Sequence, residues 1–116
     1  MPGKGRLSVL SAVLLLAGGG LSGQVTLSTL RGSVADPSGG VLPGAEVTLV
    51  DRATNVVARA LRSAADGSFE IPDVRSGPYR LTVTLPGFKT FVADDVLLEA
   101  GQIRRVQVKL DIGDVA

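Results

Sequence analysis

The chain contains no cysteine, no histidine and no tryptophan. The first absence removes disulfides, zinc–thiolate sites, cysteine nucleophiles and the acceptor of a bacterial lipoprotein anchor. The second removes the commonest general base and the commonest metal ligand. Aromatic residues are scarce, with three Phe and one Tyr, so a core must be built from Val, Leu, Ile and Ala. Basic residues are dispersed and form no dense stripe able to displace phosphate counterions, which excludes a nucleic-acid partner. No apolar run reaches the roughly 20 residues of an ordinary membrane-spanning helix, and no amphipathic helix of useful length is present.

What is there begins with an address. Lys4 and Arg6 form a positive n-region, residues 7–17 an apolar h-region, and Gly18, Gly19, Gly20, Ser22 and Gly23 a small-residue c-region. This is the pattern of a signal peptide over residues 1–23. The cut is expected between Gly23 and Gln24, with Gly19/Gly20 as the alternative and an uncleaved anchor as the bland reading. Removing Lys4 and Arg6 with it changes the formal charge from +1 to −1, since 10 basic and 11 acidic residues remain. The glycines of this region are no phosphate loop, because the strand before, the helix after and the Gly-Lys-Ser/Thr ending are all missing. The domain is expected outside the cytoplasm.

After a linker over 24–28, short alternating segments are separated by Gly- and Pro-containing turns, the punctuation of antiparallel β-structure. Leu30 and Val34 alternate against Arg31 and Ser33 over 30–35, and Asp36-Pro37-Ser38-Gly39-Gly40 ends the strand. Pro43-Gly44 precedes 45–50, with Ala45, Val47 and Leu49 inward. Residues 56–63 carry charges that mark a partly exposed strand, in which Arg59 and Arg62 guard an edge against aggregation. Asp66-Gly67 signals a hairpin. Residues 68–71 place Phe69 and Ile71 inward, and Pro72 is expected to stop the strand.

The clearest period of two is 79–85, with Tyr79, Leu81, Val83 and Leu85 on one face. Pro86-Gly87 leads to a short strand at 90–92, and Asp94-Asp95 with Leu97-Leu98-Glu99 is read as a connection. In 103–110, Val106, Val108 and Leu110 oppose Arg105, Gln107 and Lys109. About seven strands in so few residues predict an all-β, seven-stranded antiparallel Greek-key β-sandwich.

The carboxylates and aromatics are the side chains left to carry chemistry. Asp94 and Asp95 are the only adjacent acids, but neighbours in extended chain face opposite sides, and a solvated loop is the ordinary reading. Asp36, Asp66 and Asp73 would bind calcium only if their loops converged; capping their own turns is the stronger expectation. Phe69 and Tyr79 belong to the core. Phe88 and Phe91, beside a turn, are the candidate exposed ligand contacts. No catalytic residue, no metal ligand and no cofactor site is assigned, and the chain is expected not to be an enzyme.

The ordered motifs Leu30-Arg31-Gly32-Ser33-Val34, Asp36 through Leu49, Asp66-Gly67-Ser68-Phe69-Glu70-Ile71-Pro72, Gly77-Pro78-Tyr79-Arg80-Leu81-Thr82-Val83 and Pro86-Gly87-Phe88-Lys89 resemble the carboxypeptidase regulatory-like domain. That domain is related to transthyretin-like and collagen-adhesin B-type sandwiches. The resemblance implies a prealbumin-like, carbohydrate-binding-like sandwich over 29–111, followed by a tail at 112–116. It also implies no peptidase chemistry, because the zinc-binding catalytic domain of the family's title is a separate unit. The Lys–Asn isopeptide bond of some adhesin relatives is not expected: the only Asn is Asn55, in a loop, and Arg31 stands where a lysine is needed.

In bacteria such a domain behind a signal peptide resembles the N-terminal extension of TonB-dependent outer-membrane receptors, although plug and barrel sequence does not follow before Ala116. A stand-alone module and a truncated reading frame are both open. The expected role is structural or protein-interacting, in the periplasm, at the outer membrane or outside the cell, with envelope proteins as partners and strand addition at a free sheet edge as an available mode. The alternative is a carbohydrate-binding module of the starch-binding-like class, with glycan as partner. The mature domain is not expected to span the membrane.

Overall fold

The computed structural model describes residues 26–113. The expected signal peptide and the last residues of the tail lie outside them. Seven strands follow in order: β1 (Leu27–Ala35), β2 (Glu46–Asp51), β3 (Val56–Arg62), β4 (Ser68–Arg75), β5 (Gly77–Thr84), β6 (Phe91–Leu98) and β7 (Ile103–Lys109). They form two sheets, one ordered β4-β1-β7 and one ordered β3-β2-β5-β6. The fold is an all-β sandwich of the predicted kind.

Alternation makes the core. Leu30 and Val34 from β1, Val47 and Leu49 from β2, Phe69 and Ile71 from β4, Tyr79, Leu81 and Val83 from β5, and Val108 from β7 meet in one buried cluster. Burying a Val or Leu side chain fully contributes roughly 1.5–3 kcal/mol, so these small residues hold the sheets together without a large aromatic centre. Leu85, just past β5, is only half-buried but packs against the same cluster.

The turns close as their residue types dictate. Asp36 Oδ1 accepts hydrogen bonds from Ser38 N (2.9 Å), Ser38 Oγ (2.7 Å) and Gly40 N (2.9 Å). Asp66 Oδ1 accepts from Ser68 N (3.0 Å) and Ser68 Oγ (2.6 Å). Gly67, at φ 81°, has no room for a side chain, since an added Cβ would stand 2.8 Å from Val34 O. Buried Ser63 donates to Leu42 O (2.7 Å) and accepts from Ala45 N (2.8 Å), which pins the Pro43-Gly44 turn.

Several expectations are corrected. β1 opens at Leu27, inside the expected linker, and Ile112 of the expected tail forms a bridge with Phe88. The sheets are not wholly antiparallel: β7 runs parallel to β1 from Thr29↔Ile103 to Ala35↔Lys109. Pro72 does not end its strand, because β4 is an edge strand with β1 as its only neighbour among the described residues, where the missing N–H is tolerated. The short strand expected at 90–92 is the start of β6, which runs on through Asp94, Asp95 and Leu97.

Register breaks interrupt three of the strand pairs, and those in β4 and β6 account for the two corrected segments. Pro72 and Asp73 together oppose Thr29, between the pairs Leu30↔Ile71 and Ser28↔Val74. Asp94 and Asp95 together oppose Arg80, between Tyr79↔Val96 and Leu81↔Ala93. Ala58 is the extra residue of β3, between Leu49↔Arg59 and Val50↔Val57. Each is a β-bulge, which bends its strand and shifts the phase of its side chains. Thus Phe69 and Ile71 are buried before the β4 bulge and Val74 after it, while β6 buries Val96 and Leu98 after its own.

Candidate interaction surface

The residues singled out for chemistry are dispersed. Asp36 and Asp66 are engaged by their own turns; the hydroxyls of Ser38 and Ser68, then nearby backbone N–H groups, hold both carboxyls below the usual Asp value. Asp73 occupies the β4 bulge at φ 56°. Asp94 accepts from Arg80 Nε at 2.7 Å across the β5–β6 pair, and Asp95 is exposed beside it. Among the described residues no three acidic side chains gather in a metal-binding group. Phe88 and Phe91, the candidate ligand contacts, are half-buried and packed against the core cluster. They are therefore not free-standing platforms, although Phe88 lines a hollow of about 380 Å³ together with Glu46, Arg62, Thr84 and Thr90.

The edges of the two sheets are treated unequally. Arg59 pairs with core-facing Leu49, so its position in β3 directs it toward the opposite sheet. Its guanidinium donates to Pro72 O (2.9 Å) and Asp73 O (2.8 Å), the two carbonyls of the β4 bulge. On the other flank Arg104, paired with buried Leu30, donates to Leu97 O of β6 at 3.2 Å. Arg62 donates to Gly44 O at 3.3 Å and helps hold that turn. The expected guard role of Arg59 thus falls on the edge of the facing sheet, not on its own strand.

Strands β3, β4 and β6 each carry a bulge. β7 carries none: seven consecutive residues pair with β1 in unbroken register. Thr29 N donates to Gln102 O at one end of this pairing and Leu110 N to Ala35 O at the other. In a parallel ladder alternate residues turn their N–H and C=O to the same side. Ile103, Arg105, Gln107 and Lys109 therefore direct theirs away from β1, and no side chain among the described residues bonds to them. All four are exposed.

The outer face beside this edge is positive. Arg31, Ser33, Arg105 and Gln107 surround a hollow of about 220 Å³ floored by Gly32 and Val106. A second hollow continues past Gln107 to Lys109 and the Asp36 turn. Arg31 is drawn to Glu70 at 3.4 Å across β4, whereas Arg105 and Lys109 have no acidic partner within ion-pair distance among the described residues. Sequence reading placed Arg105, Gln107 and Lys109 only as outward positions. The available signal was a strand with three basic residues and no acid, but its status as a regular edge depended on a partner about 70 residues away.

By class the protein is a seven-stranded β-sandwich module whose polar groups hold turns and strand edges. The carboxypeptidase regulatory-like domain model matches residues 29–111, and the chain belongs to that family. None of the curated proteins matches it in sequence. Among solved structures it is similar to a streptococcal ancillary pilin (20% identity, TM-score 0.62, covering 75% of this chain and 33% of that one). A putative carbohydrate binding protein from Bacteroides uniformis shares 14% identity at TM-score 0.60, over 73% of this chain and 41% of the other. Catechol 1,2-dioxygenase from Acinetobacter radioresistens shares 11% at TM-score 0.61, over 78% and 53%. At these identities the likeness is one of fold, and the chain spans less than two thirds of each.

Proposed function

We propose that the chain is an exported, non-enzymatic sandwich with a structural or protein-interaction role in the bacterial envelope, and that it serves there as the N-terminal extension of a TonB-dependent receptor. The reading is carried by the unequal edges: three edge strands are bulged, two of them also have carbonyls covered by arginines, and β7 keeps a regular row of backbone groups that are unpaired among the described residues. An unmodified edge is a ready template for another chain. The signal-like residues 1–23 support export, and the pilin likeness supports a scaffolding role.

The test is to express the full chain in a bacterium with an outer membrane, fractionate the cells and sequence the recovered N-terminus. Recovery from the envelope beginning at Gln24 or Gly20 is expected. A cytoplasmic product still beginning at Met1 overturns export. Plug and barrel sequence directly downstream of the Ala116 codon would support the receptor arrangement, and its absence in every frame would remove that part.

The hollow lined by Phe88, Glu46, Arg62 and Thr84, with the fold likeness to the Bacteroides protein, favours carbohydrate binding as the second reading. A glycan array probed with the full chain separates the two. Binding that is lost in both Phe88→Ala and Phe91→Ala would replace the interaction reading.

A further inference from the structure

We propose that the free edge of β7 takes up an extended, acidic segment of a partner protein, which adds a fourth strand to the β4-β1-β7 sheet and sets carboxylates opposite Arg105 and Lys109. The inference rests on the interaction reading above and specifies its surface and the chemistry of its partner. Backbone groups of Ile103, Arg105, Gln107 and Lys109 supply the pairing. Directly opposed side chains on one face of a sheet sit close enough for charge to select partners.

Alternate positions of the incoming strand would lie on the outer face, across from Arg105, Gln107 and Lys109. The positions between them would fall beside half-buried Val106 and the flank closed by Arg104. The preferred segment therefore alternates apolar residues with acidic or polar ones. A second copy of this chain is the wrong occupant. Antiparallel pairing of two β7 edges would gather Arg105 and Lys109 from both copies on one face, with Arg31 in the next strand, and like charges there are destabilising. The same charges that discourage self-pairing suit an anionic strand.

The probe is a capped peptide of about nine residues that alternates Val with Glu and Thr, added to the full chain and followed by amide hydrogen exchange. The amides of Arg105, Gln107 and Lys109 should exchange freely in the free protein and become protected on addition, with those of β3 and β6 unchanged. Replacing Glu by Lys in the peptide should weaken binding about tenfold. The doubly substituted R105E/K109E protein should reverse that preference, and since both residues are exposed its unfolding transition should stay in place. A peptide N-methylated at the amides facing β7 should not bind.

Equal binding of the Glu and Lys peptides overturns the acidic assignment. Protection at β3 or β6 overturns the choice of edge. Protection of β7 amides in the free protein that grows with concentration assigns the edge to a second copy, and no protection by millimolar peptide ends the proposal. The last result leaves the envelope role standing, because that fails separately, on cytoplasmic retention or on glycan binding.

Discussion

The ring of Phe69 lies over Gly32, its register partner on β1. A Cβ added to Gly32 would stand 2.7 Å from Phe69 Cε2 and 2.8 Å from Val106 O, closer than real contacts allow. The glycine is thus the seat of the largest buried ring in the β4-β1-β7 sheet, at the row where β4, β1 and β7 meet. Gly32→Ala should destabilise the fold by about 1–3 kcal/mol, the usual cost of overpacking a close-packed core, as read from the urea midpoint. Combining it with Phe69→Leu should cost less than the sum of the two singles. Full additivity would show that the ring moves aside freely.

Tyr79 ties the start of β5 to the end of β4, its hydroxyl donating to Arg75 O at 2.7 Å. Burial first, and the nearby Asp51 carboxylate second, raise the phenol above its ordinary value of 10.0. The folded state therefore holds this proton more tightly than the unfolded chain. Its contribution is fully present below pH 10 and is lost as pH rises through the folded value. Tyr79→Phe should lower stability at neutral pH by about 0.5–1.5 kcal/mol and flatten the alkaline limb of an unfolding series. An unchanged alkaline limb in the variant would assign that limb to other groups.

The acid side belongs to the turns. Asp36 and Asp66 are held below the ordinary carboxyl value of 3.8 by their serine and backbone partners, so their contribution is present above that value and fades as pH falls through the lower folded one. Asp36→Ala and Asp66→Ala should each lower stability at neutral pH and reduce its loss between neutral pH and pH 2, measured by denaturant titration at several pH values. Both carboxyls are exposed, so the changes should be modest. A variant that keeps the full acid-side slope would exclude its aspartate as a source of it.

The same turns were the most readable part of the chain, because Asp-Pro-Ser-Gly-Gly and Asp-Gly act through bonds of two to four residues' reach. Strands β2, β5 and β7 were legible for a similar reason: Val47 and Leu49, or Tyr79, Leu81 and Val83, keep one phase from end to end. β6 was not, since its bulge moves burial from the odd positions Phe91 and Ala93 to the even positions Val96 and Leu98. A fixed period of two then reads noise where there is one strand. Pro72 looked like a stop because nothing local says that β4 lies at an edge. The candidate surface was hidden for the same reason: Arg105 and Lys109 announce an exposed face, but only the parallel pairing with β1 makes that face the border of a sheet.

Arg59 offers a test of how the covered edges are maintained. In sequence it is one more charge on an exposed strand, whereas its two bonds to Pro72 O and Asp73 O join β3 to the bulge of β4 across the open flank. A planar guanidinium can serve two adjacent carbonyls at once, which a lysine ammonium on its flexible stem does less well. Arg59→Ala should cost about 1 kcal/mol, in the range of a net hydrogen bond at a solvent-exposed site, and should raise the rate of aggregation on heating by freeing the β4 edge. Arg59→Lys should keep the charge and recover only part of both effects. If Arg59→Lys behaved as the parent in unfolding and in light scattering, edge charge alone would be sufficient and the paired bonds would have no separate role; if Arg59→Ala left both measurements unchanged, the bulge itself would be protecting β4.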